Sequence, residues 1–205
     1  MSRLPFNEIA AFYDRRVVEF GHDPRACDYG RAASQQRKFE VLSRALNYSG
    51  LSVLDVGCGF ADYADFLAAR FSGVTYSGID LSSEMIVKAR ALHPSLDLKV
   101  GNLIEQTECP DYDVISANGI FYRLGEDAPL LMRDLVTAMF RRCRKAVTFN
   151  TLSLWAPQQE LGEFYADPAE VLSWCRQLTP WVVLRHDYMP HDFTIYLYRE
   201  QVRSE

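Results

Sequence analysis

The sequence is short of several things, and each shortage removes a class of function. No apolar run approaches the ~20 residues that span a bilayer, and the opening MSRLPFNEIA lacks the apolar core of a secretory leader. The five cysteines, Cys27, Cys58, Cys109, Cys143 and Cys175, are odd in number, lie far apart and include no C-x-x-C pair. That argues against a disulfide framework and a zinc site, and for a reducing compartment. A cytoplasmic location, no metal and no membrane partner are the expectations. Positive charge is also scarce, since 22 Lys and Arg stand against 27 Asp and Glu, for a net charge of -5. A nucleic-acid binder shows a basic excess or stripe. The one basic cluster, RRCRK at 141–145, falls where a helix C-terminus is expected, and cations there complement the helix dipole. No nucleic-acid partner is expected. Repeats, low-complexity tracts and Pro/Gly-rich linkers are absent too, so the 205 residues read as one domain, 1–205.

What is present is an alternation. SQQRKFEVLSRAL, 34–46, places Phe39, Leu42, Ala45 and Leu46 at helical spacing behind Ser34 as N-cap. Strand-like SVLDVG (52–57) precedes a helix over about 61–71. TYSGIDL (75–81) precedes a helix opening at Ser82 or Ser83 and running to Leu92. LDLKVGN (96–102) and YDVISANG (112–119) follow as strands, then a helix near 128–141 and the strand KAVTFNT (145–151). DPAEVLSWCRQL reads as a helix with Pro168 at its first position after Asp167. The last two β-rich runs, WVVLRHDYMPHDFTIYLYRE, meet at a tight turn containing Pro190. Strands separated by helices imply right-handed crossovers and a parallel sheet. The final pair, joined by a short turn, has to be antiparallel. The expected class is therefore α/β, a doubly wound, mostly parallel, Rossmann-like sheet of about seven strands closed by a C-terminal antiparallel hairpin.

Chemistry concentrates in VLDVGCGFAD, 53–62. A strand runs into Gly57-Cys58-Gly59, where bare backbone turns sharply and lets a ligand approach. Gly-x-Gly alone is weak evidence, because strand–helix turns use glycine without any ligand. Asp55 sharpens it, placing a carboxylate inside a strand that would otherwise be apolar. Asp80 stands at the end of the second strand and Asn102 at the end of the third. An acid at the end of strand two accepts from both hydroxyls of an unmodified ribose and disfavours a 2′-phosphate. NADP is thereby set aside, while NAD and S-adenosylmethionine (SAM) both remain. For Asp80 the competing reading is a helix cap, a role Ser82 and Ser83 already fill. Cys58 reads as a small turn residue rather than a nucleophile, since no histidine is near in sequence.

VLDVGCGFAD, YSGIDLSSEMIVKAR, LKVGNL and YDVISANGIF, taken in order, resemble the successive SAM-binding motifs of class I SAM-dependent methyltransferases. The likeness is specific over about 50–125 and concerns topology beyond it, the closing hairpin included. FYDRR and YGRAASQQRKF are similar to the lid and first-helix segments of small-molecule members, implying a lid over 1–35 and a SAM-binding core over 36–205. The resemblance implies SAM as cofactor and S-adenosylhomocysteine (SAH) as product. It places Asp55, Gly57, Cys58 and Gly59 at the methionine end, Asp80 on the ribose and Leu81 against the adenine. Asn102 and Leu103 would flank the adenine, the Asn102 amide oxygen accepting from the exocyclic amine, with Asn118 and Gly119 beside the transferring methyl. The sequence departs from the pattern twice: Ala61 replaces a third glycine, and Asn102 stands where many relatives carry Asp. The third glycine serves close helix–strand packing in dinucleotide enzymes, for which alanine is a small change.

Ligands of such sheets lie beyond the carboxyl ends of the strands. Acceptor contacts are therefore expected from Phe121, Tyr122, Asn150, Trp155 and Tyr188, with Tyr29 and Arg31 closing over them from the N-terminal segment. Methyl transfer draws on proximity, and needs a base only where the nucleophile carries a proton. His186, His191 and Tyr13 are the candidate catalytic groups; the opposing reading of RHDYMPHD is a solvated polar turn. The expected function is methyl transfer to a small-molecule acceptor, more on oxygen or nitrogen than carbon, by a monomer or homodimer. An NAD-dependent oxidoreductase and a non-catalytic SAM-binding protein are the alternatives; no Tyr-x-x-x-Lys hydride-site pair supports the first.

Overall fold

The computed structural model describes residues 6–28, 32–106 and 110–202. Seven strands form one sheet in the order β3-β2-β1-β4-β5-β7-β6. They are β1 (Ser52–Val56), β2 (Thr75–Asp80), β3 (Asp97–Val100), β4 (Tyr112–Ala117), β5 (Cys143–Leu152), β6 (Val182–Met189) and β7 (Asp192–Tyr198). The β1–β2, β2–β3, β1–β4 and β4–β5 pairs are parallel, whereas β7 runs antiparallel between β5 and β6. Strand order reverses at β1/β4, the switch point where open α/β sheets bind ligands. Register brings the strand ends together there, Val56 pairing with Ile79 on one side and Ala117 on the other.

The period of two along β1 divides the core. Leu54 and Val56 pack with α5 (Ala128–Arg142) and α6 (Pro168–Cys175), while Val53 packs with α2 (Ala32–Leu42), α3 (Asp62–Ala68) and α4 (Ser83–Leu92). Asp55 shares the second face with Val53, so a carboxylate is carried into a buried layer. α1 (Phe6–Phe20) buries Val17 beside Phe60 and Met85, and Asp14 fastens it to the start of α4. Asp14 Oδ1 accepts from Ser82 Oγ at 2.6 Å and from the Glu84 N–H at 3.2 Å, an acid placed where a helix N-terminus favours one. Among the described residues no helix is long and apolar enough to cross a membrane.

Two local expectations need correcting. Ser34 lies inside α2 rather than capping it, and the helix stops at Leu42 instead of Leu46. Where the helix ends, the Tyr196 hydroxyl of β7 donates to the Val41 carbonyl, and in the turn beyond it the Tyr198 hydroxyl donates to the Ala45 carbonyl. The other correction concerns Ala61, which precedes α3 with φ 65°, in the left-handed region. The missing glycine is thus a matter of backbone conformation as well as of helix packing. Glycine at 61 would relieve about 1–2 kcal/mol of strain. Losing a buried methyl offsets about 0.8 kcal/mol of that, and the freer unfolded chain about 0.4–1 kcal/mol. Ala61→Gly is accordingly expected to leave stability unchanged within about 1 kcal/mol, whereas Ala61→Val, β-branched at a fully buried site, loses about 2 kcal/mol or more. Urea unfolding of both variants checks this, and a tolerated valine would contradict it.

Candidate active site

Beyond Val56 the chain folds back onto the neighbouring strand: the Gly57 and Cys58 N–H groups both donate to the Ile79 carbonyl, at 2.7 and 3.1 Å. Gly57 has φ 74°, and a Cβ there would lie 2.3 Å from Ile120 Cγ2, so both conformation and space require glycine. Gly78 on β2 lets the turn settle closely, since its Cβ would meet Cys58 Sγ at 2.7 Å. Asp80 holds the arrangement from below. Its Oδ2 accepts from the Gly59 N–H and its Oδ1 from the Ser82 N–H, each at 2.8 Å, joining the glycine turn to the start of α4.

These elements wall a crevice of about 1050 Å³, partly open to solvent. Asp55, Gly57, Cys58, Gly59, Asp80, Leu81, Asn102, Leu103, Asn118 and Gly119 all line it, with Tyr13, Phe6 and Ile9 of α1 along its rim. Asp55 is 3% exposed; Tyr76 donates to its Oδ2 at 2.6 Å, and its Oδ1 has no hydrogen-bond partner. Burial raises its pKa to about 7 against the Tyr76 hydrogen bond, with the Asp80 carboxylate adding to the rise. Asp80 is also shifted up by burial, with the Asp14 carboxylate adding to the rise and the backbone N–H groups of Ser82, Gly59 and Leu81 opposing it. Burial and the same two acids push the Cys58 thiol up, so it stays protonated and is no nucleophile.

The lining fits SAM. Apolar Leu81, Leu103 and Ile79 suit an adenine, Asp80 closes β2 where a ribose needs acceptors, and an orphaned buried carboxylate oxygen awaits a cationic or N–H donor. Residues 54–152 match the family described as a methyltransferase domain. Rv1506c of Mycobacterium tuberculosis, which bears the name of a methyltransferase, is 31% identical over 155 residues, covering 70% of this chain and 90% of that protein. The chain belongs to the class I SAM-dependent methyltransferases.

Other relatives agree over less sequence. The trans-aconitate 2-methyltransferase of Delftia acidovorans is 32% identical over 97 residues, covering 46% of this methyltransferase and 36% of that relative. The chain therefore spans about a third of that relative's length. Among solved structures, DhpI in complex with SAH has a TM-score of 0.68 at 17% identity, covering 99% of this chain and 100% of that one. SAM-bound magnesium protoporphyrin IX methyltransferase from Synechocystis PCC 6803 has a TM-score of 0.69 at 14% identity, over 98% and 100%. At those identities the likeness is one of fold, and it includes the closing hairpin. The methyl donor is SAM, and the oxidoreductase and non-catalytic alternatives are set aside.

The expected acceptor-side residues divide. Phe121 and Tyr122 line a second chamber of about 490 Å³, which shares Cys27 and Gly119 with the crevice and so adjoins it. Tyr13 Oη and Tyr122 Oη are 2.8 Å apart, and Tyr122 donates to Asp28 Oδ2 at 2.8 Å. Arg16 and Arg123 each pair with the same Asp28 carboxylate at 2.9 Å, tying the N-terminal segment to the loop after β4. Burial, then Tyr122, raises the Tyr13 pKa well above its usual value, so the Tyr13 phenol is neutral in the ligand-free chain.

Other expectations are corrected by where the side chains point. His186, on the outermost strand β6, packs edge-on against Trp155 at 5.5 Å, and His191 is exposed in the hairpin turn; neither histidine lines either cavity. Trp155 is 56% exposed and lines neither cavity. Asn150 spends its amide on the loop after β4, donating to Asn118 Oδ1 and accepting from the Gly119 N–H, both at 2.7 Å. It braces the crevice rather than binding an acceptor. Asn102 lines the crevice, its Oδ1 accepting from the Glu105 N–H at 2.9 Å in a local turn. Tyr188 lies behind the second chamber, donating to Asp192 Oδ1 at 2.7 Å. Tyr29 and Arg31 lie outside the described residues. Lys38, on the chamber wall, was not foreseen; on an amphipathic helix it looks like a solvated lysine, and no local pattern marks it as buried.

Proposed function

We propose that the enzyme methylates a small molecule held in the second chamber, with α1 and residues 24–28 acting as a lid over one domain. The observation that carries this is the chamber itself. A chamber of about 490 Å³, its solvent-open mouth included, adjoins the crevice at Cys27 and Gly119 and carries Lys38, Thr151 and Asp192 on its walls, the few placed polar groups that orient a small ligand. The lid's Cys27 and Asp28 form one of its walls, which favours a small acceptor over a strand of RNA or a protein segment.

When bound, SAM supplies an electrophilic methyl on a sulfonium. The chain's own residues do the rest. Asp55 takes the cationic methionine end, the bare backbone of Gly57 and Gly59 allows close approach, and Asp80 accepts from the ribose hydroxyls. Leu81 and Leu103 enclose the adenine. Gly119, held by Asn150, forms the threshold between donor and acceptor, and Tyr13 with Tyr122 excludes water from it. Proximity and orientation account for most of the rate.

Tritiated-methyl SAM and a bacterial extract test the reading. Label is expected in the acid-soluble small-molecule fraction; label confined to acid-precipitable protein or RNA would overturn it. In calorimetry, SAM should bind and NAD should not.

A further inference from the structure

Three polar side chains are buried on one wall of the second chamber, where apolar residues would have been easier to fold. Asp192, opening β7, is 1% exposed, and its Oδ2 lies 2.6 Å from Nζ of Lys38, a residue 7% exposed on α2. Thr151 of β5 is 2% exposed and its hydroxyl has no hydrogen-bond partner. A buried ion pair costs desolvation that a well-packed apolar pair avoids, and an orphaned hydroxyl costs more. All three line a cavity adjoining the crevice, so a ligand's polar group is the natural partner for the orphan.

The charges say which group. Lys38 is matched by Asp192, whereas Asp28 lies between two guanidiniums, Arg16 and Arg123, neither of which lines the chamber. Glu163 adds another carboxylate to the wall, and its Oε2 accepts from Tyr165 Oη at 2.8 Å. The walls thus present Asp28, Glu163 and Asp192 against one lysine. An anionic reacting group would face carboxylates on several sides, whereas a hydrogen-bond donor would find acceptors.

We propose that the methylated group is a proton-bearing hydroxyl or amine, held by the Asp192 carboxylate and the Thr151 hydroxyl, and not a carboxylate. This rests on the small-molecule reading above. The acceptor's oxygen or nitrogen lone pair forms the bond to the methyl carbon. The carbon–sulfur bond breaks with its electrons passing to sulfur, which gives SAH. The O–H or N–H proton passes to Asp192 and on to solvent. Lys38 and Tyr188 are positioning residues that orient the carboxylate.

The test uses the full chain, tritiated-methyl SAM and a bacterial small-molecule extract, with the labelled products then treated with mild base. Methyl esters hydrolyse to volatile tritiated methanol, while methyl ethers and methylamines keep their label; cation exchange then separates the last two. Base-stable label is expected. Predominantly volatile label would overturn this proposal and leave the small-molecule reading standing, whereas label confined to macromolecules would overturn that reading and this one with it. Thr151→Val, nearly isosteric, is expected to raise the amount of extract giving half-maximal labelling at least 10-fold while the SAM Kd stays within twofold. Asp192→Asn, which removes the proton acceptor, is expected to lower the maximal labelling rate at least 10-fold, with a SAM Kd within twofold of wild type showing that the chain is folded. An unchanged half-saturation for Thr151→Val would overturn the placement.

Discussion

Replacing Asp80 with alanine is expected to weaken SAM binding by about 100-fold or more. Two hydrogen bonds from ribose hydroxyls to a carboxylate, each worth about 1.5–3 kcal/mol, amount to at least that factor at 1.36 kcal/mol per decade. A second effect points the same way. The carboxylate also accepts from the Gly59 and Ser82 N–H groups, so alanine frees both the glycine turn and the start of α4. Asp80→Asn separates the two contributions, because one amide oxygen can still accept from one of these donors while the charge is lost. Its SAM affinity should fall between wild type and Asp80→Ala. Calorimetry measures the affinities and urea unfolding the stability. Wild-type SAM affinity in Asp80→Ala would remove the ribose role altogether.

How much of this was legible in the sequence depends on how local the cause is. Gly57, Gly59 and Asp80 could be read directly, because a strand that ends in a glycine turn beside a strand that ends in an acid fixes their relative place through parallel register alone. The hairpin was equally legible, since two β-rich runs around Pro190 leave no room for a crossover. Ala61 was misread because the sequence shows a residue's size and not its φ. The histidines were chosen for their chemistry, but β6 is the last strand of the sheet, on the far side of β5 and β7 from the switch point. Asn150 was credited with a ligand contact, but its amide is spent on Asn118 and Gly119, a competition invisible without coordinates. Lys38 was missed because its burial is decided by Asp192, at the opposite end of the chain.

Asp55 should make both stability and SAM binding depend on pH, in opposite directions. In the folded, ligand-free chain its carboxyl titrates near 7, against an ordinary value of 3.8. Between those values the folded state holds a proton that the unfolded state has released. Stability therefore falls as pH rises from about 4 to about 7 and levels off above, with Asp80, also shifted upward, adding in the same sense. At about 1.36 kcal/mol per unit, the Asp55 contribution is of order 4 kcal/mol. The methionine end of SAM reverses the balance: a cation beside the orphaned Oδ1 favours the ionised form, so below pH 7 binding must expel the proton. The Kd should rise up to tenfold for each unit the pH falls from 7 towards 5. Asp55→Asn removes both dependences. At pH 8 it should stabilise the ligand-free chain by about 2 kcal/mol, sparing a buried charge, while weakening SAM binding roughly 10- to 100-fold for want of the same charge. Urea unfolding at pH 5 and 8, with calorimetry at pH 5.5 and 7, measures both. A pH-independent Kd in the wild type would mean that the Asp55 carboxylate does not meet the cation. The carboxylate that costs the empty fold most is, on this account, the one that makes the crevice selective for a positively charged donor.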